Sequence, residues 1–188
     1  MRGTRLPGPM AGEAHDIRVR PATREDIPAI VRTSLTSLDG EEVRGFGTPR
    51  ETQTFTDAAR LSAAWTDPNR VGAEEVFVAE LDGRVVAYVS VEDRGRVEEL
   101  VNIDVAGDLQ GRGIGTRLVR FVEERAGAGG KEAVTLGTSR NAEGVPWKSL
   151  PWWRSLGYRV TGEEENAWTR RVGPGVREIR MRKDLRPE

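Results

Sequence analysis

Apolar positions along this chain change their period several times, and each change marks an element. Ile17-Arg18-Val19-Arg20 alternates apolar and charged residues, the pattern of a short strand, and Pro21 ends it. Ile27, Ile30, Val31 and Leu35 then recur at helical spacing behind Thr23, a good N-cap residue, with Glu25 and Asp26 in the first turn. The spacing predicts a helix ending near Ser37. From Asp39 to Pro68 the pattern weakens, because Gly40, Gly45, Gly47 and Pro49 interrupt regular structure. Glu51 to Trp65 is predicted as a helix with Phe55, Ala58, Ala59 and Leu61 inward. Val76 to Leu81 and Arg84 to Val91 are rich in β-branched residues and are separated by Asp82-Gly83, a tight-turn pair, so they read as a hairpin. Gly95 marks another turn, and Val97 to Val105 makes a third antiparallel strand.

The second half repeats the strand-to-helix switch once. Leu118, Val119, Val122 and Ala126 form one face of a helical pattern running from Thr116 to Ala126, and Gly127, Gly129 and Gly130 end it. Ala133 to Leu136 reads as a short buried strand, parallel to Val97–Val105 because a crossover helix joins the two. An aromatic helix, Ser149 to Leu156, stops at Gly157. Tyr158-Arg159-Val160 and Glu178 to Met181 close the domain as an antiparallel pair, joined by an acidic connection containing Gly and Pro. The fold class is therefore α/β in the broad sense (α+β), with a mixed, mostly antiparallel sheet.

Composition narrows the chemistry. With 188 residues the chain makes one domain, taken as residues 17–188, behind a Gly/Pro-rich leader, residues 1–16, that reads as a disordered tail. Lys+Arg and Asp+Glu nearly cancel to a net charge of −1, so no overall field points to nucleic acid or an acidic membrane. Cysteine is absent and the single histidine, His15, lies in the leader. Thiolate chemistry is excluded, and a histidine-based metal site or a Ser-His-Asp triad is argued against; no metal is expected. No apolar run is long enough to span a bilayer, and the leader lacks the apolar core of a secretory signal. The cytoplasm is the default compartment.

The organising stretch is Gln110-Gly111-Arg112-Gly113-Ile114-Gly115, between an apolar strand and a helix. Glycines allow positive φ and leave no Cβ against an approaching ligand. The N–H groups opening the helix lack intrahelical acceptors and sit at its positive end, so the turn is suited to a phosphate or pyrophosphate, with Arg112 adding a charge. A dinucleotide fold would place G-x-G-x-x-G after the first strand of a βαβ unit. Here the spacing is G-x-G-x-G, past the middle of the chain and after antiparallel strands. A Walker loop would need a lysine after its last glycine, but Thr116-Arg117 follows Gly115.

The remaining pattern is Q/R-x-x-G-x-G/A, which Gln110 to Gly115 matches at every fixed position. Downstream, Asn141 followed by Trp152-Trp153-Arg154-Ser155-Leu156-Gly157-Tyr158 is similar to an Asn and aromatic-Tyr-x-x-Leu-Gly-Phe segment. On these two motifs and their element order, from Ile17 to Leu185, the chain resembles the GNAT superfamily of acetyl-CoA-dependent N-acyltransferases. The resemblance implies helices on both faces of the sheet and a parallel, splayed strand pair at the acyl-CoA site. It implies backbone pairing of Ile103, Asp104 and Val105 with the pantetheine arm and thioester. Amides from Gly111 through Arg112, Gly113, Ile114 and Gly115 to Thr116 would hold the diphosphate, and Asn141 would contact the pantetheine. The implied partners are acetyl-CoA and an amine acceptor, and a homodimer is compatible with the family.

Transfer from a thioester to an amine requires that the amine lose a proton. For a lysine-like ammonium of pKa ~10.4 this costs about 4–5 kcal/mol at neutral pH, so a base would help. Glu99, eleven positions before Gln110, has the spacing of the family's base glutamate, while Glu98 points to the other face of a regular strand. The family's general-acid tyrosine is replaced by Trp153, and Tyr158 takes the usual phenylalanine position. Indole is not a useful proton donor. A thiol of pKa ~8.5 is nevertheless a tolerable leaving group near neutrality. The alternative is a non-catalytic acyl-CoA-binding module. Trp152 and Trp153 are expected to pack in the core or to wall the acyl channel.

Overall fold

A computed structural model describes residues 17–37 and 53–185. The expected tail, the glycine-rich break at Gly40–Pro49 and the last three residues lie outside them. Among the described residues, nine strands form a single sheet. Its centre is the expected meander: β4 (Glu74–Leu81), β5 (Arg84–Arg94) and β6 (Val97–Val105) pair antiparallel in succession. Asp82 and Gly83 make the first turn with φ of 51° and 73°, a conformation that the glycine and the short aspartate tolerate. The edge of β4 is shared: β1 (Arg18–Pro21) pairs along Phe77–Glu80, and β3 (Arg70–Val71) along Glu74 and Glu75.

Beyond β6 the helix α3 (Ile114–Ala128) crosses over to β7 (Ala133–Arg140), which pairs parallel to β6. The last strands, β8 (Arg159–Glu164) and β9 (Arg177–Asp184), complete the order β6-β7-β9-β8. Two apolar layers cover the sheet. One packs Leu118, Val119 and Val122 of α3 onto Val89, Val91 and Leu100. The other packs Ile30 of α1 (Ile27–Ser37) and Leu61 of α2 (Ala58–Ala64) near Val76, Val78 and Tyr88.

The departures from the expected elements are local. Of the helix predicted over Glu51–Trp65, Glu51 and Thr52 lie outside the described residues, and the rest reduces to a 3-10 turn at Thr54–Thr56 and to α2 (Ala58–Ala64), because Asp57 is extended and caps a new start, its Oδ1 accepting the Arg60 N–H at 2.7 Å. Trp65 opens β2 (Trp65–Asp67), which turns back through Asn69 onto β3. The acidic connection contains a further helix, α5 (Ala167–Val172), capped by Asn166, whose Oδ1 accepts the N–H groups of Trp168 and Thr169 at 3.0 Å. The aromatic helix, α4 (Leu150–Ser155), is short.

Candidate active site

A single irregularity in β6 arranges the site. Ser90 of β5 pairs with Asn102, but Val91 pairs with Leu100, so Val101 is an extra residue on β6. This bulge resets the alternation of side chains. Leu100, Ile103 and Val105 all face α3, while Asn102 and Asp104 face α1. Glu98 also turns toward α3, where Arg125 pairs with it and bridges to Glu75 at 2.8 Å. Glu99 is left on the opposite face. With a regular strand Glu99 would share a face with Ile103 and Val105; the bulge places it with Asn102 and Asp104 instead.

The parallel pair opens nearby. β6 and β7 are in register from Val97–Ala133 to Leu100–Leu136 and no further, although β6 continues to Val105 and β7 to Arg140. Backbone groups of Ile103–Val105 on one side and Gly137–Ser139 on the other border a cleft of about 1070 Å³. Its lining draws on both apolar layers, from Ile114 and Trp153 on the α3 side to Phe55 and Tyr88 on the other. The cleft thus passes through the splay from one face of the sheet to the other.

The glycine loop closes one end. Gly111 and Gly113 have φ of 76° and 82°, and a Cβ at either would meet no protein atom within 4 Å. Gly113 caps α3 without any side-chain bond, and the first amide with an acceptor is Arg117, to the Gly113 carbonyl at 3.0 Å. The N–H groups of Ile114, Gly115 and Thr116 have no acceptor among the described residues, and all three residues line the cleft. Gly115 has a packing reason as well: a Cβ there would meet the Trp152 ring at 3.3 Å. Gln110 ties the loop back to its strand, its Nε2 donating to the Val105 carbonyl at 3.1 Å. Such a set of free donors at a helix N-terminus fits an anionic diphosphate.

Glu99, Ile103, Asp104, Val105, Gln110, Gly111, Gly113, Ile114, Gly115 and Thr116 all border the cleft. Arg112 is exposed and stands outside that lining. Asn141 is outside it too: its Oδ1 accepts the Val145 N–H at 2.9 Å and closes a turn. The splayed edge of β7 is presented by Gly137, Thr138 and Ser139 instead.

Glu99 carries no idle oxygen. Arg180 of β9 donates to Oε1 and Oε2 at 2.7 and 2.8 Å, and the Thr135 hydroxyl donates to Oε2. This clamp crosses the parallel pair one position before it opens. Asp104 is half-buried at the wall of the cleft and accepts hydroxyls from Tyr88 at 2.6 Å, Ser37 at 2.7 Å and Ser34 at 3.1 Å. Burial pushes its carboxyl above the ordinary range despite these donors. The cluster ties α1 to β6 beneath the cleft. Asp104→Ala would strand three hydroxyls and should lower unfolding stability by about 3 kcal/mol, read by urea denaturation.

Trp153 is buried, 4.3 Å from the Trp152 ring and 5.4 Å edge-on to Tyr158, and belongs to the α3-side core while bordering the cleft. Tyr158 lies outside the cleft lining, and burial, with the neighbouring Glu123, raises its hydroxyl well above its usual range. Sequence reasoning missed Glu74, Asn102 and Ser90, which meet on the α1 face: Asn102 Nδ2 donates to Glu74 Oε2 at 3.2 Å and to Ser90 Oγ at 3.0 Å. A single-residue bulge without glycine leaves no mark in the sequence, so this grouping could be found only from strand pairing.

A mostly antiparallel sheet, one splayed parallel pair and a loop with unbonded helix-opening amides at its mouth thus surround one cleft. Residues 37–145 match the model of the acetyltransferase (GNAT) family, and the chain belongs to that family of N-acetyltransferases. Solved structures share the fold. An IAA acetyltransferase from Bacillus cereus is 20% identical, with a TM-score of 0.60 over 90% of this chain and 99% of that one. The Escherichia coli ribosomal-protein-S18-alanine N-acetyltransferase is 16% identical, with a TM-score of 0.64 over 92% and 96%. An aminoglycoside 6'-N-acetyltransferase complexed with coenzyme A is 18% identical, with a TM-score of 0.63 over 91% and 98%. No curated protein sequence matches the chain. No helix among the described residues is long and apolar enough to cross a membrane.

Proposed function

We propose that this acetyltransferase moves an acetyl group from acetyl-CoA to a primary amine of a small molecule or of a peptide or protein. The observation that carries the reading is the glycine loop at Gly111–Thr116, whose helix-opening amides of Ile114, Gly115 and Thr116 have no acceptor among the described residues and open onto a cleft that continues through the splay to the α1 face. Those amides would hold the diphosphate. Backbone groups of Ile103–Val105 and Gly137–Ser139 would take the pantetheine, whose amides match strand-like donors and acceptors. When bound, the cosubstrate supplies the activated acyl group as a thioester. The chain's contribution is to bind it, to aim the carbonyl at the α1 face and to keep an amine there.

Glu99 enters the reading by its place beside the opening of the strand pair. To accept a proton it would have to loosen its bonds to Arg180 and Thr135, so its clamp between β6 and β9 is the role the geometry supports. Trp153 leaves no acid at the family's tyrosine position, and the thiolate is expected to take its proton from water. The structural relatives name an aminoglycoside and a ribosomal-protein alanine, so the shared fold does not select an acceptor.

The test is thiol release from acetyl-CoA across a panel of alkylamines, amino acids and peptides, with acetyl-CoA binding followed by calorimetry. Binding with turnover on at least one amine is expected. Tight binding with no turnover on any amine would favour a non-catalytic acyl-CoA-binding module, and absence of binding would remove the reading altogether.

A further inference from the structure

Among the described residues four carboxylates line the cleft, and neighbours answer the charge of three. Glu99 has Arg180 and Thr135. Glu178 accepts from Arg180 Nη1 at 2.9 Å and from Asn166 Nδ2. Asp104 has its three hydroxyls and the favourable field of the Lys148 ammonium, which also lines the cleft. Glu74 differs. It opens β4, half-buried, and its partners are the neutral groups of Asn102 and Ser90. The charged residue nearest in effect is Glu92 of β5, a like charge that itself pairs with Arg94 at 2.7 Å. Among the described residues Glu74 has no cation.

Resting on the acetyltransferase reading above, we propose that Glu74 holds the ammonium group of the acceptor and receives its proton, which makes the acceptor a cationic primary amine. A half-buried carboxylate with neutral partners is costly, and an ammonium is the ligand that offsets that cost. Asn102 and Ser90 fix the carboxylate's orientation from one side and leave its remaining acceptor capacity to the cleft. Burial raises the Glu74 carboxyl above its ordinary range, which brings it closer to an amine in proton affinity than an exposed glutamate.

The step balances. The ammonium gives one proton to Glu74, the free amine forms the N–C bond, and the C–S bond breaks. The second nitrogen proton is lost as the thiolate gains one, and Glu74 returns its proton to water. The net change is one acetyl group transferred and one proton released.

The test compares two acceptors on the full chain near neutral pH at saturating acetyl-CoA: the best alkylamine of the panel, protonated there, and methoxyamine, which is neutral there. Glu74→Gln is expected to lower kcat/KM for the alkylamine on the order of 100-fold, with KM raised, and to change methoxyamine turnover by no more than about threefold. Acetyl-CoA affinity, read from tryptophan fluorescence, should stay at the wild-type value. Glu74→Asp should recover part of the alkylamine rate; if Glu74→Gln does not fold, this variant carries the test through the same selective loss. Equal losses with both acceptors, no loss with either, or a wild type that binds acetyl-CoA yet uses no cationic amine would each overturn the assignment. A wild type that fails to bind acetyl-CoA would instead overturn the reading on which it rests.

Discussion

Gly113→Val should weaken acetyl-CoA binding by about 100-fold, measured by calorimetry, while the protein remains folded. Gly113 has a φ of 82°, a region where a β-branched residue is strained by about 1–3 kcal/mol. Relief of that strain turns the peptide planes that aim the first amides of α3. The protein itself has room for the new side chain, because a Cβ at Gly113 would meet nothing within 4 Å. What it obstructs is the approach from the cleft. Two charge-assisted hydrogen bonds at about 1.5 kcal/mol each already amount to roughly 100-fold in affinity. Thermal melting should move by only a few degrees, which separates lost binding from lost fold. An affinity within a few-fold of wild type would mean that the loop does not hold the ligand.

Trp153→Ala should cost about 3–5 kcal/mol of stability, a drop of about 10 °C in Tm for a chain of this size. The ring is 4% exposed, packs against Trp152 and Tyr158, and helps join α4 to the α3-side core. Removing it opens a cavity that the short helix α4 can fill only by moving. Trp153→Phe keeps most of the apolar volume and should cost far less. Its kcat should stay near wild type, because the indole is not asked to deliver a proton. A large loss of kcat in a stable Trp153→Phe protein would instead show that the indole acts on the reacting groups.

Much of this site was legible because its signals are short-range. The alternation of Val76–Leu81 and Arg84–Val91 around Asp82-Gly83 specifies a hairpin with few alternatives, and β4 and β5 form one. Three closely spaced glycines before the face of Leu118, Val119 and Val122 specify a strand, a turn and a helix start, and Gly111 and Gly113 do adopt positive φ. Other features depend on pairing between distant segments. The bulge at Val101 decides which side chains accompany Glu99, yet an apolar run with or without a bulge reads the same. Asn141 matches a motif position, but the Asn141–Val145 turn consumes its carbonyl oxygen. Glu74 is one of two adjacent glutamates, and only the register of β4 on β5 sends Glu75 toward Arg125 and Glu74 toward Asn102. The short strands β2 and β3 and the helix α5 are stabilised by what they cap or pair with, not by a period of their own.

The most direct measurement is a titration of the isotope-labelled protein followed through its backbone amide resonances, once with coenzyme A and once with pantetheine, which lacks the diphosphate. Coenzyme A is expected to shift the amides of Gly111 to Thr116, and pantetheine to move the signals of Ile103–Val105 and Gly137–Ser139 while leaving the helix-opening amides in place. Saturation with coenzyme A that leaves those loop amides unmoved would contradict diphosphate binding at the start of α3.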